Sequence, residues 1–90
     1  MKNLMGVLQE QHGDELTFQD GKVQWDKSLL LTLRKLGYDL KLEDFATRIY
    51  LYRGERCLGE VDYEVEEREP DFEYSDAYEV LLLDLSRFAA

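Results

Sequence analysis

An α+β domain with a small, mainly antiparallel sheet is the fold class the sequence predicts, and three observations predict it. Asp20-Gly21 stands between two segments of alternating polarity, the pattern of a two-residue hairpin turn. Leu29, Leu30, Leu33 and Leu36 follow at helical spacing. From Tyr38 to Glu66 apolar and polar residues alternate again, with turn signals at Glu43-Asp44 and Gly54-Glu55. The expected elements are a hairpin over 15–26, a central helix over about 27–36, a meander over 38–66 and a C-terminal helix over about 75–88.

Each element has its own warrant. Residues 1–13 are open between a helix, with Leu4, Met5 and Leu8 on one face, and a short strand, because Gly6 weakens a helix. In the first hairpin, pairing outward from Asp20-Gly21 sets Phe18 against Val23 and Leu16 against Trp25 on one face. Asp26 or Ser28 can cap the helix that follows, and Gly37 is placed to end it. A tight turn at Glu43-Asp44 sets Leu42 opposite Phe45 and Asp39 opposite Arg48. A three-residue loop after Arg53, or one bulge, pairs Ile49 with Val61 and Thr47 with Tyr63. That register sends Val61, Tyr63 and Val65 into the core and turns Glu60, Asp62, Glu64 and Glu66 to the opposite face. After Pro70, Tyr74, Tyr78, Leu81, Leu82, Leu85 and Phe88 trace a helical stripe with Ser75 as cap. A buried strand over Val80–Leu83 is the competing reading. Trp25, Leu33, Ile49, Val61, Leu81 and Leu85 are the expected core.

Ninety residues, 44% hydrophobic and 12% aromatic, fit one domain over 1–90 with a single core. No apolar run approaches the roughly 20 residues of a membrane span. Gln9 and Glu10 cut short the apolar start that a signal peptide needs. The expected compartment is therefore the cytoplasm, or the host cytoplasm for a phage gene.

The side chains of most catalytic chemistries are missing. Cys57 is the single cysteine and His12 the single histidine, so neither a disulfide nor a closed cysteine or histidine metal site can be assembled. Ser28, Ser75, Ser86 and Cys57 lack a nucleophile elbow, and Gly54 and Gly59 belong to no phosphate-binding loop. The acids do not follow a calcium-loop pattern, and 90 residues leave little room for a glycosidase cleft. No enzyme, metal or cofactor is expected.

The distribution of charge is the most informative feature. Ten acids lie between Glu60 and Glu79 against the one base Arg68, so this stretch holds the whole net charge of −9 and the rest sums to zero. Direct nucleic-acid binding is disfavoured, since the bases do not cluster. Alternating strand residues stand about 6.7 Å apart, so Glu60, Asp62, Glu64 and Glu66 form a row with Tyr50, Tyr52 and Leu58 beside it. The candidate partner-binding set is Glu60, Asp62, Glu64, Glu66, Glu67, Glu69, Asp71, Glu73, Tyr50 and Tyr52. Lys22, Lys27 and Lys35 are expected outside the patch. Repulsion among the acids predicts stability that rises modestly from pH 7 towards pH 5.

A row of carboxylates on a rigid strand can imitate phosphates and compete for a basic groove. The expected function is that of a small inhibitor occupying the nucleic-acid-binding surface of a basic partner. Phage anti-CRISPR and anti-restriction proteins of the nucleic-acid-mimic type share this size and charge, although no motif ties the chain to a family. An immunity protein or antitoxin against a basic toxin would use the same physics. A housekeeping adaptor binding through its Leu-rich helix is a further reading, and a merely solvated sheet face would carry the same acids.

Overall fold

The computed structural model describes residues 2–45, 47–70 and 76–90. Among these, the fold is α+β, with two helices and two antiparallel sheets of four and three strands. In chain order the elements are α1 (Leu4–His12), β1 (Phe18–Gln19), β2 (Lys22–Gln24), α2 (Lys27–Lys35), β3 (Tyr38–Glu43), β4 (Arg48–Arg53), β5 (Arg56–Glu60), β6 (Asp62–Arg68) and β7 (Tyr78–Asp84). The larger sheet runs β1-β2-β7-β6 and the smaller β3-β4-β5. Neither helix is long and apolar enough to cross a membrane.

The N-terminal segment is a helix. Asn3 caps it by accepting from the Gly6 amide at 2.8 Å, and Leu4, Met5 and Leu8 are buried beneath it. The first hairpin follows the expected register, Phe18 opposite Val23, with Asp20 and Gly21 both at positive φ (51° and 76°) as a type I′ turn requires. Its strands are shorter than the predicted span, two and three residues long. Asp26 is the cap of α2, its carboxylate accepting from the Leu29 amide at 2.9 Å, and α2 packs on β3.

The C-terminal helix expected over 75–88 is not present: β7 runs from Tyr78 to Asp84, between β2 and β6. The helical stripe misled because Leu81 and Leu82 serve opposite faces of a strand. Leu83 and Leu85 enter the main core, while Val80 (9% exposed) and Leu82 (2%) are buried outside it on the other face. A four-residue apolar run needs cover on both sides, which an interior strand supplies and a surface helix does not. The Ser75 cap lies outside the described residues.

The meander over 38–66 is also divided. β3 and β4 pair with Leu42 opposite Ile49 and Asp39 opposite Tyr52, because the connection is four residues long rather than two. Leu42 opposite Phe45 and Asp39 opposite Arg48 are thus both replaced; Asp44 and Phe45 take positive φ in that turn. The β4–β5 pairing keeps the expected register through one bulge, and the Val61 amide donates to the Ile49 carbonyl at 2.8 Å. Gly59 makes the bulge feasible at φ 138°, with Arg87 and Phe88 packed where a Cβ would stand. At Val61 the chain then leaves the smaller sheet, and β6 pairs with β7 instead.

One cluster of buried apolar side chains draws on both helices and both sheets, including Leu8, Val23, Leu33, Leu51, Val61 and Leu83. Leu33, Ile49, Val61 and Leu85 are buried as expected, whereas Trp25 and Leu81 are only partly covered. Tyr63 is also partly buried, and Val65 is 52% exposed rather than in the core. The Tyr63 hydroxyl donates to the Thr47 carbonyl at 2.9 Å and so ties the two sheets together.

Candidate functional site: an acidic sheet face

The predicted acids fall on two sheets rather than one. Asp62, Glu64 and Glu66 alternate along β6 on the face away from the core, opposite Asp84, Leu82 and Val80 of β7. Glu60 belongs to β5 and lies opposite Tyr50 on the outer face of the smaller sheet. Glu67 points to the other side of β6, directly opposite Glu79, and Glu69 is exposed just beyond the strand. Asp71 and Glu73 lie outside the described residues.

Two cations stand inside the row on β6, and sequence reasoning placed one of them elsewhere. Lys22 of β2 reaches across β7 to Glu64 at 3.6 Å, so it is part of the patch rather than outside it. Arg68 meets Glu66 at 3.0 Å and also donates to the Gln19 side chain. Gln19 in turn donates to Glu66 at 2.6 Å. Glu64 and Glu66 stand opposite Leu82 and Val80 in the ladder, and both of those apolar side chains are buried on this face. Glu64 and Glu66 therefore hold cross-strand contacts as well as a charge.

The opposite end of the row is more negative. Asp62 faces Asp84 across the ladder, and Asp84 accepts from the Ser86 hydroxyl at 2.5 Å and the Ser86 amide at 3.0 Å. Those bonds, the hydroxyl first, hold the Asp84 carboxyl below the usual carboxylate range, with Lys22 and Arg87 adding a favourable field. Sequence reasoning missed Asp84, and no local signal would have found it, since only the β6–β7 ladder brings it beside Asp62. Among the described residues, Glu60, Asp62, Glu67, Glu69, Asp76 and Glu79 form no ion pair.

The tyrosines occupy the smaller sheet. Tyr50 and Tyr52 share its outer face with Glu60, and both are half-buried by their neighbours. The Tyr52 hydroxyl donates to Glu43 at 2.9 Å, and Lys41 lies over its ring at 4.4 Å. The Glu43 hydrogen bond pushes the Tyr52 phenol up to about 12. A hydrogen bond with Tyr50 raises the Arg48 guanidinium, and the field of Glu60 adds to it. The tyrosines and the β6 acids thus belong to separate sheets, with Glu60 the member common to both descriptions.

No family model, curated protein or solved structure matches the chain.

His12 ends α1 with Nδ1 3.5 Å from a Glu15 oxygen. Cys57 is an exposed free thiol on β5, opposite Tyr52. No group of three metal-ligating side chains comes together among the described residues.

Proposed function

We propose that the chain acts by binding, as an inhibitor whose acidic sheet face occupies a basic, nucleic-acid-binding surface of another protein. The observation that carries this reading is the end of the row at Asp62 and Asp84, continued by Glu60. Asp62 and Asp84 stand there on paired strands, Glu60 follows on the smaller sheet, and the Ser86 hydrogen bonds lower the Asp84 carboxyl. A rigid array of this sign favours a cationic groove over free solution, and its field accelerates encounter. Glu64 and Glu66 contribute less to such a field than the sequence suggests, because Lys22 and Arg68 answer them. The action would take place in the cytoplasm, or in that of a host if the gene is a phage gene.

Neutralising a basic toxin is the nearest alternative and uses the same face. An adaptor binding through the Leu-rich helix has less support, because Leu29 and Leu33 are consumed by the core and only Leu31 of that helix is largely exposed.

The test is capture on the immobilised protein from a nuclease-treated lysate at low salt. The expected outcome is retention of nucleic-acid-binding proteins that added duplex DNA or RNA releases, and loss of that retention in the Glu60→Lys, Asp62→Lys double variant. Retained proteins that nucleic acid fails to displace would favour a toxin-type partner. Retention indifferent to the double variant would remove the acidic face from the account.

A further inference from the structure

The core-side face of β6 and β7 ends in a surface that the acidic face does not explain. Trp25, Leu30, Leu42 and Leu81 line an open groove of about 560 Å³, bordered by Asp26 and Lys27 at the start of α2. The Trp25 amide donates to the Leu81 carbonyl at 2.8 Å, which fixes the groove's floor to the central strand. Leu42 is 50% exposed, and Val65, opposite Leu81 in the ladder, is 52% exposed. Monomeric proteins rarely leave large apolar side chains converging in this way without a use for them.

One rung further along the same face, Glu67 stands directly opposite Glu79. Like charges at paired positions destabilise a ladder, and neither acid forms an ion pair among the described residues. Apolar floor and acidic end are therefore adjacent, separated by a single residue pair's spacing along the strands. We propose that this groove is a docking site for a basic amphipathic segment of another protein, with apolar anchors on Trp25, Leu81 and Val65 and a Lys or Arg between Glu67 and Glu79.

The charge pattern selects this occupant over others. A second copy of the chain would bring another −9 to the interface and meet long-range repulsion. A small apolar ligand needs enclosure over most of its surface, whereas this groove is open. Helix-in-groove recognition needs only spaced apolar anchors and a complementary flank. The site is independent of the acidic-face reading, because it lies on the opposite side of β6 and β7.

Trp25 is the one tryptophan in the chain, so its emission reports occupancy directly. The experiment pans a displayed short-peptide library against the immobilised protein and titrates the selected peptide, made synthetically, while reading Trp25 fluorescence. The expected peptides carry two or more large apolar residues next to Lys or Arg and shift the Trp25 emission on binding. Val65→Lys and Glu67→Lys should each weaken binding by at least about tenfold, with the second also flattening its salt dependence. Both sites are exposed and leave the core intact, and Asp62→Lys, on the other face, should change affinity less than twofold. Selected peptides without basic residues, or affinity unmoved by Glu67→Lys, would overturn the proposal. So would sedimentation showing a dimer whose formation alone shifts the Trp25 emission.

Discussion

Among the described residues, Tyr52 shows the largest shift in acidity. Glu43 accepts its hydroxyl proton in a hydrogen bond and raises the phenol to about 12, against about 10 in an unfolded chain. A raised folded value means that the stabilisation is complete below pH 10 and is lost as pH climbs towards 12. Ultraviolet titration of the native protein against Tyr52→Phe should show the missing tyrosine to be a late-ionising one. In Glu43→Ala the same tyrosine should ionise nearer pH 10, and an unchanged titration would show that Glu43 does not hold it. Asp84 works in the opposite sense. Its depressed value gives stability that is present above about pH 3.9 and is lost as pH falls through the lower folded value. Ser86→Ala should remove that acid-side margin, seen as melting temperatures for variant and parent that converge only in strong acid. Lys22 and Arg68 offset part of the repulsion behind the expected rise in stability from pH 7 to pH 5, while the like-charged pairs Asp62–Asp84 and Glu67–Glu79 keep the rest. Arg68 was legible as the one base within the acidic stretch, but the place of Lys22 was not, since it reaches Glu64 only once β7 is seen to lie between β2 and β6.

At the scale of elements, local chemistry was legible and long-range pairing was not. Asp20-Gly21 and Asp26 act over three or four residues, and both do what their residue types demand. Gly21→Ala should cost about 1–2 kcal/mol for a side chain at positive φ, although nothing crowds the position. Asp26→Ala should cost about 1 kcal/mol through the lost cap. Chemical denaturation of each variant checks these values. The C-terminal residues 78–84 were misread because a short apolar run has no decisive period. What settles it is cover from β2 on one edge and β6 on the other. Leu83→Ala, in the middle of that strand, should cost about 2–5 kcal/mol. A loss below 1 kcal/mol in denaturant melts would contradict its place in the core. The acidic row was legible as an outward alternation along β6, but its division at Val61 was not, because it depends on β6 pairing with β7, a choice no local pattern in the sequence records.

For the whole molecule, the distribution of charge makes a prediction that no single residue makes. Association through the acidic face should weaken steeply with salt, since screening shortens to about 8 Å near physiological ionic strength. Reversing Glu60 and Asp62 should slow association more than it speeds dissociation, while Lys35→Glu at the far end of α2 should change neither. Surface plasmon resonance with a captured partner at two salt concentrations separates these outcomes. Reversal of Lys22 does not serve as a control, because it removes the partner of Glu64. The order of the strands in the larger sheet has a different consequence, one for synthesis. The smaller sheet is built from consecutive strands and can close as soon as β5 is made. The larger sheet cannot, because the strand at its middle is made last and joins residues as distant as Val23 and Leu83. On the ribosome the first hairpin therefore waits, the β2 edge unpaired, until residues 78–84 emerge and pair between β2 and β6.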